Sequence, residues 1–378
     1  MQTYKTQGIK NTRIDVADAL RGIAVAGIIL FHSVEHFNMY DSSLITNTLS
    51  CDRTVFKVLQ WLFSGKMYGI FAMLFGLSFF IMNDNQQQRG NNFSGRFAWR
   101  MLLLFILGIV NTAFYDGDIL MSYAIYGLLL IPISYLPSKY VWAIFGILII
   151  QPIEIYSMLS GWHPDMKAMG QAYATMGIAH HSGSFIDNCL TNLRWGQVGN
   201  TLWYLAKGRH TQTVALFILG MLLGRMRLFY NEGSNLKIWA RVFVASLALV
   251  IIGSITGVTG IRKISTWISP IYNFFILMMI VSGVVLLWYR TSWCPKVLST
   301  MRTFGRMSLT NYFLQSIIGC GLFCHYGFNL SAKLCITYAF LVGIAMVTCQ
   351  YFFCVLWFRK HDHGPLEALW KKLTWIKF

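Results

Sequence analysis

About ten separate stretches of roughly 18 or more mostly apolar residues recur along this chain, each long enough to carry a helix across a hydrocarbon layer. Inside such a layer the backbone must satisfy its own N–H and C=O groups, so these stretches are predicted to be helices. They lie near 16–36, 58–82, 97–115, 118–136, 139–159, 211–229, 238–258, 269–289, 307–326 and 333–358. The fold class that follows is all-α, a polytopic transmembrane bundle of about ten helices. With 56% hydrophobic and 12% charged residues, the composition excludes an ordinary soluble domain. Glycine and proline are spread through the apolar runs rather than gathered in a linker, so residues 1–378 read as a single transmembrane domain. The first apolar run carries Asp18 and Arg21 with no small-residue cleavage site after it, and reads as a retained helix rather than a removed signal. Residues 160–210, with Trp162, His163, Asp165, His180, His181, Arg194, Lys207 and Arg209, are too polar to span. They are expected to form a long extracytoplasmic loop between helices 5 and 6.

The formal charge of +17 is not a nucleic-acid signal, because the cations sit in short connections between apolar runs. Alternate connections carry them: Lys5, Lys10 and Arg13 before the first helix, Arg89 and Arg96 in the second connection, Arg225, Arg227 and Lys237 in the sixth. Arg290, Lys296, Arg302 and Arg306 follow in the eighth, and Arg359, Lys360, Lys371, Lys372 and Lys377 in the tail. Glu35, Asp41, Asp52, Asp116 and Asp118 fall in the opposite set. By the positive-inside rule both termini are expected in the cytoplasm. The eight cysteines form no C-x-x-C pair and read as small packing residues. His361-Asp362-His363 lacks matched ligands nearby and is not read as a metal site, so no metal is expected.

Ionisable groups inside spans are costly and therefore mark candidate sites. In helix 1, Arg21 and His32 stand eleven residues apart, close to three turns, so they share a face separated by roughly 16 Å of rise. Asp18 and Glu35 fall near the same stripe; the alternative is that these groups simply mark the ends of the helix. Imidazole is the commonest general base, which makes His32 the first catalytic candidate. Arg96 and Arg100 share a face at spacing four, suited to a phosphorylated ligand or to membrane anchoring, and Asn111 lies eleven residues beyond Arg100. Ser308, Asn311, Tyr312 and Gln315 form a polar stripe, either functional or bonding between helices. Asp118, in the Asp116-Gly117-Asp118 turn, either caps the next helix or joins His32, and Lys66 either snorkels or pairs with Glu35 or Asp118.

Several motifs resemble the YeiB-like family of bacterial membrane proteins, DUF418, along nearly the whole chain. They are Arg13-Ile-Asp15 with Asp18-Ala-Leu-Arg21-Gly22, Phe71-Ala-Met-Leu-Phe75-Gly76, Arg100 through Gly108, Gly117-Asp118-Ile119-Leu120, Tyr123-Ala-Ile-Tyr-Gly127 and Leu219-Gly220-Met221-Leu-Leu-Gly224-Arg225. Most specific are Gly305-Arg306-Met307-Ser308-Leu309-Thr310-Asn311-Tyr312-Phe-Leu-Gln315-Ser316 and Gly364-Pro365-Leu366-Glu367. More distantly the opening of helix 1 resembles transmembrane acyltransferases, including acyltransferase family 3 and the heparan-alpha-glucosaminide N-acetyltransferases. In family 3 a histidine follows the arginine by eleven residues, as His32 follows Arg21 here.

The resemblance implies transfer of an acyl group, acetyl above all, from cytoplasmic acyl-CoA to a hydroxyl or amine of an extracytoplasmic glycan or lipid, by a multi-pass protein of the bacterial cytoplasmic membrane. Acyl-CoA would be the co-substrate. Arg21, Arg96, Arg100 and Arg306 would hold its phosphates. His32 would act as base or acyl carrier, Glu35 or Asp118 would orient it, and Asn111, Asn311 or Gln315 would stabilise the oxyanion. Trp162, Trp195, Trp203 and Tyr204 offer stacking surfaces for a sugar or headgroup. Partners are then membrane lipids, the acyl donor and the acceptor, with a homodimer as a possible assembly and no nucleic acid. The competing reading is a transporter of a small anionic or lipid-linked solute, in which the same buried groups line a path.

Overall fold

A computed structural model of the chain describes residues 13–35, 37, 48–260, 264–331 and 333–376; Lys5, Lys10, Asp41 and Lys377 of the charge argument lie outside the described residues. Helices follow one another as α1 (Asp15–Glu35), α2 (Asp52–Phe63), α3 (Met67–Gln87), α4 (Ser94–Phe114), α5 (Leu120–Leu128), α6 (Leu130–Ser134), α7 (Ser138–Ile149) and α8 (Pro152–Ser160). Next come α9 (Met166–Ser182), α10 (Phe185–Thr191), α11 (Gln197–Ala206) and α12 (Arg209–Arg225). The chain continues through α13 (Asn235–Thr256), α14 (Ser265–Arg290), α15 (Cys294–Val297), α16 (Ser299–Arg306), α17 (Ser308–Phe323), α18 (Ile336–Phe358) and α19 (Pro365–Thr374). No strand occurs among the described residues.

This is an all-α membrane fold, with 7 helical spans among the described residues long and apolar enough to cross a bilayer. They are α1, α2 joined to α3, α4, α7 joined to α8, α13, α14 and α18. The apolar stretches at 118–136, 211–229 and 307–326 are helical too, but as shorter pieces: α5 with α6, α12 of 17 residues and α17 of 16 residues. Two of the long spans are broken where the sequence dictates. Gly65, at φ 80°, turns the chain between α2 and α3, and Pro152 opens α8 after Gln151.

Burial separates the helices into an inner and an outer set. In α1, 78% of the apolar window is buried, whereas the corresponding figure for α13 is 17%. The exposed face of α13 carries Val244, Ile251, Ile252 and Ile255, which lipid tolerates and water would not. Near the middle of the bundle α3 and α12 run parallel, and a Cβ on Gly76 would strike the Phe217 carbonyl while one on Gly220 would strike that of Met73. Gly22 of α1 and Gly305 of α16 make a second backbone-to-backbone approach of this kind. Such small-residue crossings bring helices close without a hydrophobic driving force, and they explain four glycines of the sequence motifs.

Residues 160–210 are mostly helical. α9, α10, a π turn at 192–196 and α11 pack against each other, and Asn192 Nδ2 docks the π turn on α4 by donating to the Ala113 and Phe114 carbonyls at 3.4 and 3.3 Å.

Candidate functional site

α1 runs antiparallel to α3, so its two ends reach two different cavities. Arg21, in the second turn of α1, borders a cavity of about 470 Å³, and His32, in the last turn, borders another of about 420 Å³.

The first cavity is cationic at its rim and aromatic within. Arg13, Arg21, Arg100, Arg306 and Lys371 line it with Phe71, Phe75, Phe97, Tyr123 and Trp370. Each guanidinium is already engaged. Asp18 accepts from Arg13 Nε at 2.6 Å and from Arg21 Nη1 at 2.5 Å, while Arg21 Nη2 donates to Ser78 at 2.7 Å. Arg100 lies 3.5 Å from the centre of the Trp370 ring and donates to Thr374 Oγ1 at 3.3 Å. Arg306 packs on Phe358 and donates to the Asp362 carbonyl at 3.2 Å. Arg96 lies outside this cavity: it donates to the carbonyls of Thr374 and Ile376 and so pins the C-terminal helix to α4.

That C-terminal helix also builds the wall. Glu367 accepts from the Leu309 and Thr310 amides at 2.8 and 3.1 Å and from the Thr310 hydroxyl at 2.5 Å, capping the first turn of α17. Burial raises the Glu367 carboxyl above its ordinary value. Burial also lowers His363, with Lys371, 2.7 Å from its Nε2, adding to the shift. His361 instead stacks on Trp357, so the two imidazoles of the His361-Asp362-His363 run diverge.

The second cavity is bordered by His32, Glu35, Tyr68, Tyr115, Asn200, Trp203 and Arg209. His32 Nε2 is 3.4 Å from the Tyr115 hydroxyl, with the two ring centres 5.0 Å apart. Of the four aromatic residues expected to offer stacking surfaces, Trp203 and Tyr204 line this cavity and Trp162 and Trp195 do not.

Asn111, Asp118, Asn311 and Gln315 line neither cavity. Asp118 is fully buried, accepting from Asn111 Nδ2 at 2.8 Å and from the Met121 amide at 3.1 Å, and its own carbonyl accepts from Asn200 at 2.8 Å. Asn311 donates to the Phe304 carbonyl at 3.0 Å and meets Cys354. Gln315 is buried one turn further along α17. Lys66 pairs with neither Glu35 nor Asp118; its ammonium lies 3.4 Å from the Gln60 carbonyl. The buried Cys324 thiol meets His180 at 3.3 Å, again away from both cavities.

A thin floor separates the cavities. Ile119 faces the His32 side, and Leu120, Tyr123 and Phe71 face the Arg100 side. Tyr123 packs against Phe71, Phe75 and Phe217 and donates its hydroxyl to the Tyr68 carbonyl at 2.9 Å. Tyr312 fastens the floor by accepting from the Ile119 amide at 3.2 Å.

Sequence reasoning missed Arg13 and Lys371 at the first cavity and Arg209 at the second. The first two stood in solvent-facing tails, and Arg209 stood in a polar stretch among other charges, so neither periodicity nor apolar context singled them out.

A family model described as "Protein of unknown function (DUF418)" matches residues 223–377, which include Arg306, Asn311 and Gln315. Along the full length the chain is 27% identical to "Uncharacterized protein YxaH" of Bacillus subtilis (strain 168), covering 98% of this chain and 96% of that one. It is 26% identical to "Uncharacterized protein YeiB" of Escherichia coli (strain K12), over 94% of this chain and 95% of that one. It is also 22% identical to an "Uncharacterized 39.9 kDa protein in amylase 3'region" of Bacillus acidopullulyticus, over 96% and 94%. No solved structure matches.

Proposed function

The chain belongs to the YeiB-like DUF418 family, and we propose that it is a membrane-embedded acyltransferase that takes an acyl group from cytoplasmic acyl-CoA and passes it to a hydroxyl or amine acceptor across the bacterial inner membrane. One observation carries this reading: a single face of α1 joins a cationic, aromatic-walled cavity at Arg21 to a cavity holding His32 and Glu35. The described ends of the chain, Arg13 and α19, both border the Arg21 cavity, which agrees with a cytoplasmic assignment for that side.

In this reading Arg13, Arg21, Arg100, Arg306 and Lys371 attract the nucleotide phosphates, and Trp370 and the phenylalanines receive the adenine or the pantetheine arm. The floor at Tyr123 and Phe71 opens as acyl-CoA binds, and the arm then carries its thioester through it to His32. Neutral His32 takes the proton of the acceptor as its oxygen or nitrogen attacks the thioester carbon; the C–S bond breaks, and the imidazolium returns that proton to the departing thiolate. Glu35, one turn along on the same face, orients the imidazole. Asp118 and Asn111 hold the turn that carries the floor, and Asn311 and Gln315 set α17, so these four act as positioning residues.

The test is the thermal stability of the purified protein with acetyl-CoA and longer acyl-CoAs, since binding to the native state raises apparent stability by mass action. Stabilisation that Arg100→Ala weakens, with binding retained but transfer lost in His32→Ala, supports the assignment. Absence of binding up to about 1 mM would end it. The closed floor between two cavities is also what an alternating-access carrier has, and solute uptake into proteoliposomes without acyl-CoA would then be the outcome.

A further inference from the structure

Arg209 stands apart from every other cation at the two cavities. It is the first residue of α12, entered through Gly208 at φ 65°, and only 8% of it is exposed. Its guanidinium lies 4.2 Å from the Tyr68 ring centre and 5.3 Å from that of Trp203. No carboxylate among the described residues pairs with it, and its buried Nη1 has no hydrogen-bond partner. Ring faces offset only a part of the cost of burying a cation.

The surroundings add positive potential. Lys66, itself only 4% exposed, is near enough for the two charges to repel. The parallel helices α3 and α12 both begin at this cavity, which directs the positive ends of two helix dipoles towards it. Gly65 lines the cavity beside the guanidinium, where a Cβ would stand 3.2 Å from Arg209 Nη2 and 2.7 Å from the Asn273 amide nitrogen. Glu35 is the acid that borders the cavity, and it sits on α1 beside His32.

We propose that the His32 cavity binds an anionic group, a carboxylate or a phosphate, held by the guanidinium of Arg209 within the Tyr68 and Trp203 rings. A planar fork with unsatisfied N–H groups matches such an oxyanion, and pairing inside a partly dry cavity is strong. As a statement about the acceptor this rests on the acyl-transfer reading: the acceptor would carry its negative charge at Arg209 and present its hydroxyl or amine to His32. As a statement about the cavity it holds without acyl-CoA.

The experiment uses the full chain in detergent and in vesicles, with no acyl-CoA present. Inorganic phosphate and glucuronate are titrated as soluble probes, and phosphatidylglycerol in phosphatidylcholine vesicles is compared with phosphatidylcholine alone as the lipid-borne source. Tryptophan fluorescence, to which Trp203 contributes, and melting temperature are read for wild type, Arg209→Gln and Arg209→Lys. A saturable response to one probe is expected in wild type, weakened at least about tenfold in Arg209→Gln and less in Arg209→Lys, which keeps the charge and loses the fork. A response to the soluble probes assigns a free acidic solute, and a response to phosphatidylglycerol alone assigns a lipid phosphate. No response in wild type, or an equal response in Arg209→Gln, overturns the site. Should Arg209→Gln fail to fold, Arg209→Lys decides alone, since equal binding there contradicts a bidentate fork. If wild type binds these anions but fails to bind acyl-CoA in the separate stability assay, the transferase reading falls and this one stands.

Discussion

The two cavities handle positive charge in opposite ways. Around the first, Arg13 and Arg21 share Asp18, Arg100 leans on Trp370 and Thr374, and Arg306 donates to a backbone carbonyl. Around the second, Arg209 lies against the Tyr68 and Trp203 rings and Gly65, with no carboxylate partner among the described residues. A cation already bonded within the protein has a fixed position and a reduced field, so it offers a ligand an oriented but shared contact. A buried cation without an oxygen partner gains more from a ligand that brings one. The first cavity is thus suited to a large polyanion held by several moderate contacts, and the second to a small anion held chiefly by one.

The largest expected effect separates chemistry from binding. His32→Ala should lower acyl transfer by about 10² to 10⁴, the usual contribution of a general base, with the acyl-CoA affinity of the other cavity unchanged. Single-turnover transfer of radiolabelled acetyl groups reads the first quantity and equilibrium dialysis the second. Equal losses in both would mean that His32 itself holds acyl-CoA and that the two cavities act as one binding site. Next in size, Arg100→Ala should weaken acyl-CoA binding by about tenfold, the range for one hydrogen bond to a charged group, because four other cations remain. A complete loss would show one dominant contact there and erase the contrast with Arg209.

How far the sequence revealed this arrangement depended on the kind of signal. Apolar length located the 7 described helices long enough to cross a bilayer, because a bilayer imposes that length directly, and it overran at 118–136, 211–229 and 307–326, where the described helices are shorter. Helical periodicity put Arg21 and His32 on one face, and the structure takes that face to two cavities. Spacing says nothing of which neighbour a side chain meets. Asn111 and Asp118 turned out to bond each other behind the cavity wall, and Arg96 to hold the C-terminal helix. Glu367 and Thr310 belong to two motifs recognisable separately, yet only the tertiary fold shows that one caps the other. Arg209 was hidden because its importance lies in the absence of an oxygen partner, a property of packing.

Two further substitutions test the framework behind the cavities rather than their linings. Asp118→Ala strips the acceptor from Asn111 Nδ2 and the Met121 amide in a fully buried turn, and should cost about 1–3 kcal/mol of stability, seen as a lower melting temperature. The acyl-CoA affinity of the folded protein should stay unchanged, because Asp118 borders neither cavity. A normal melting temperature with lost transfer would instead make Asp118 a direct participant beside His32.

The smallest effect concerns Glu367 and is read through pH. Burial raises its native pKa above the ordinary 4.5, so the native state binds the proton more tightly than the unfolded chain does. Its contribution to stability is therefore fully present below about 4.5 and is lost as pH rises through the elevated native value. Glu367→Gln has no such titration. Melting curves recorded from about pH 4 to about pH 8 should show the variant gaining on wild type as pH rises, then a constant difference once the wild-type carboxyl is ionised. The carboxylate also caps α17 beside Arg306 and Lys371, so saturating acyl-CoA, through its hold on those cations, should alter the wild-type pH dependence and leave that of Glu367→Gln unaltered. If acyl-CoA shifts both profiles equally, the C-terminal helix is only a structural strap, and the first cavity would end at Arg21 and Arg100.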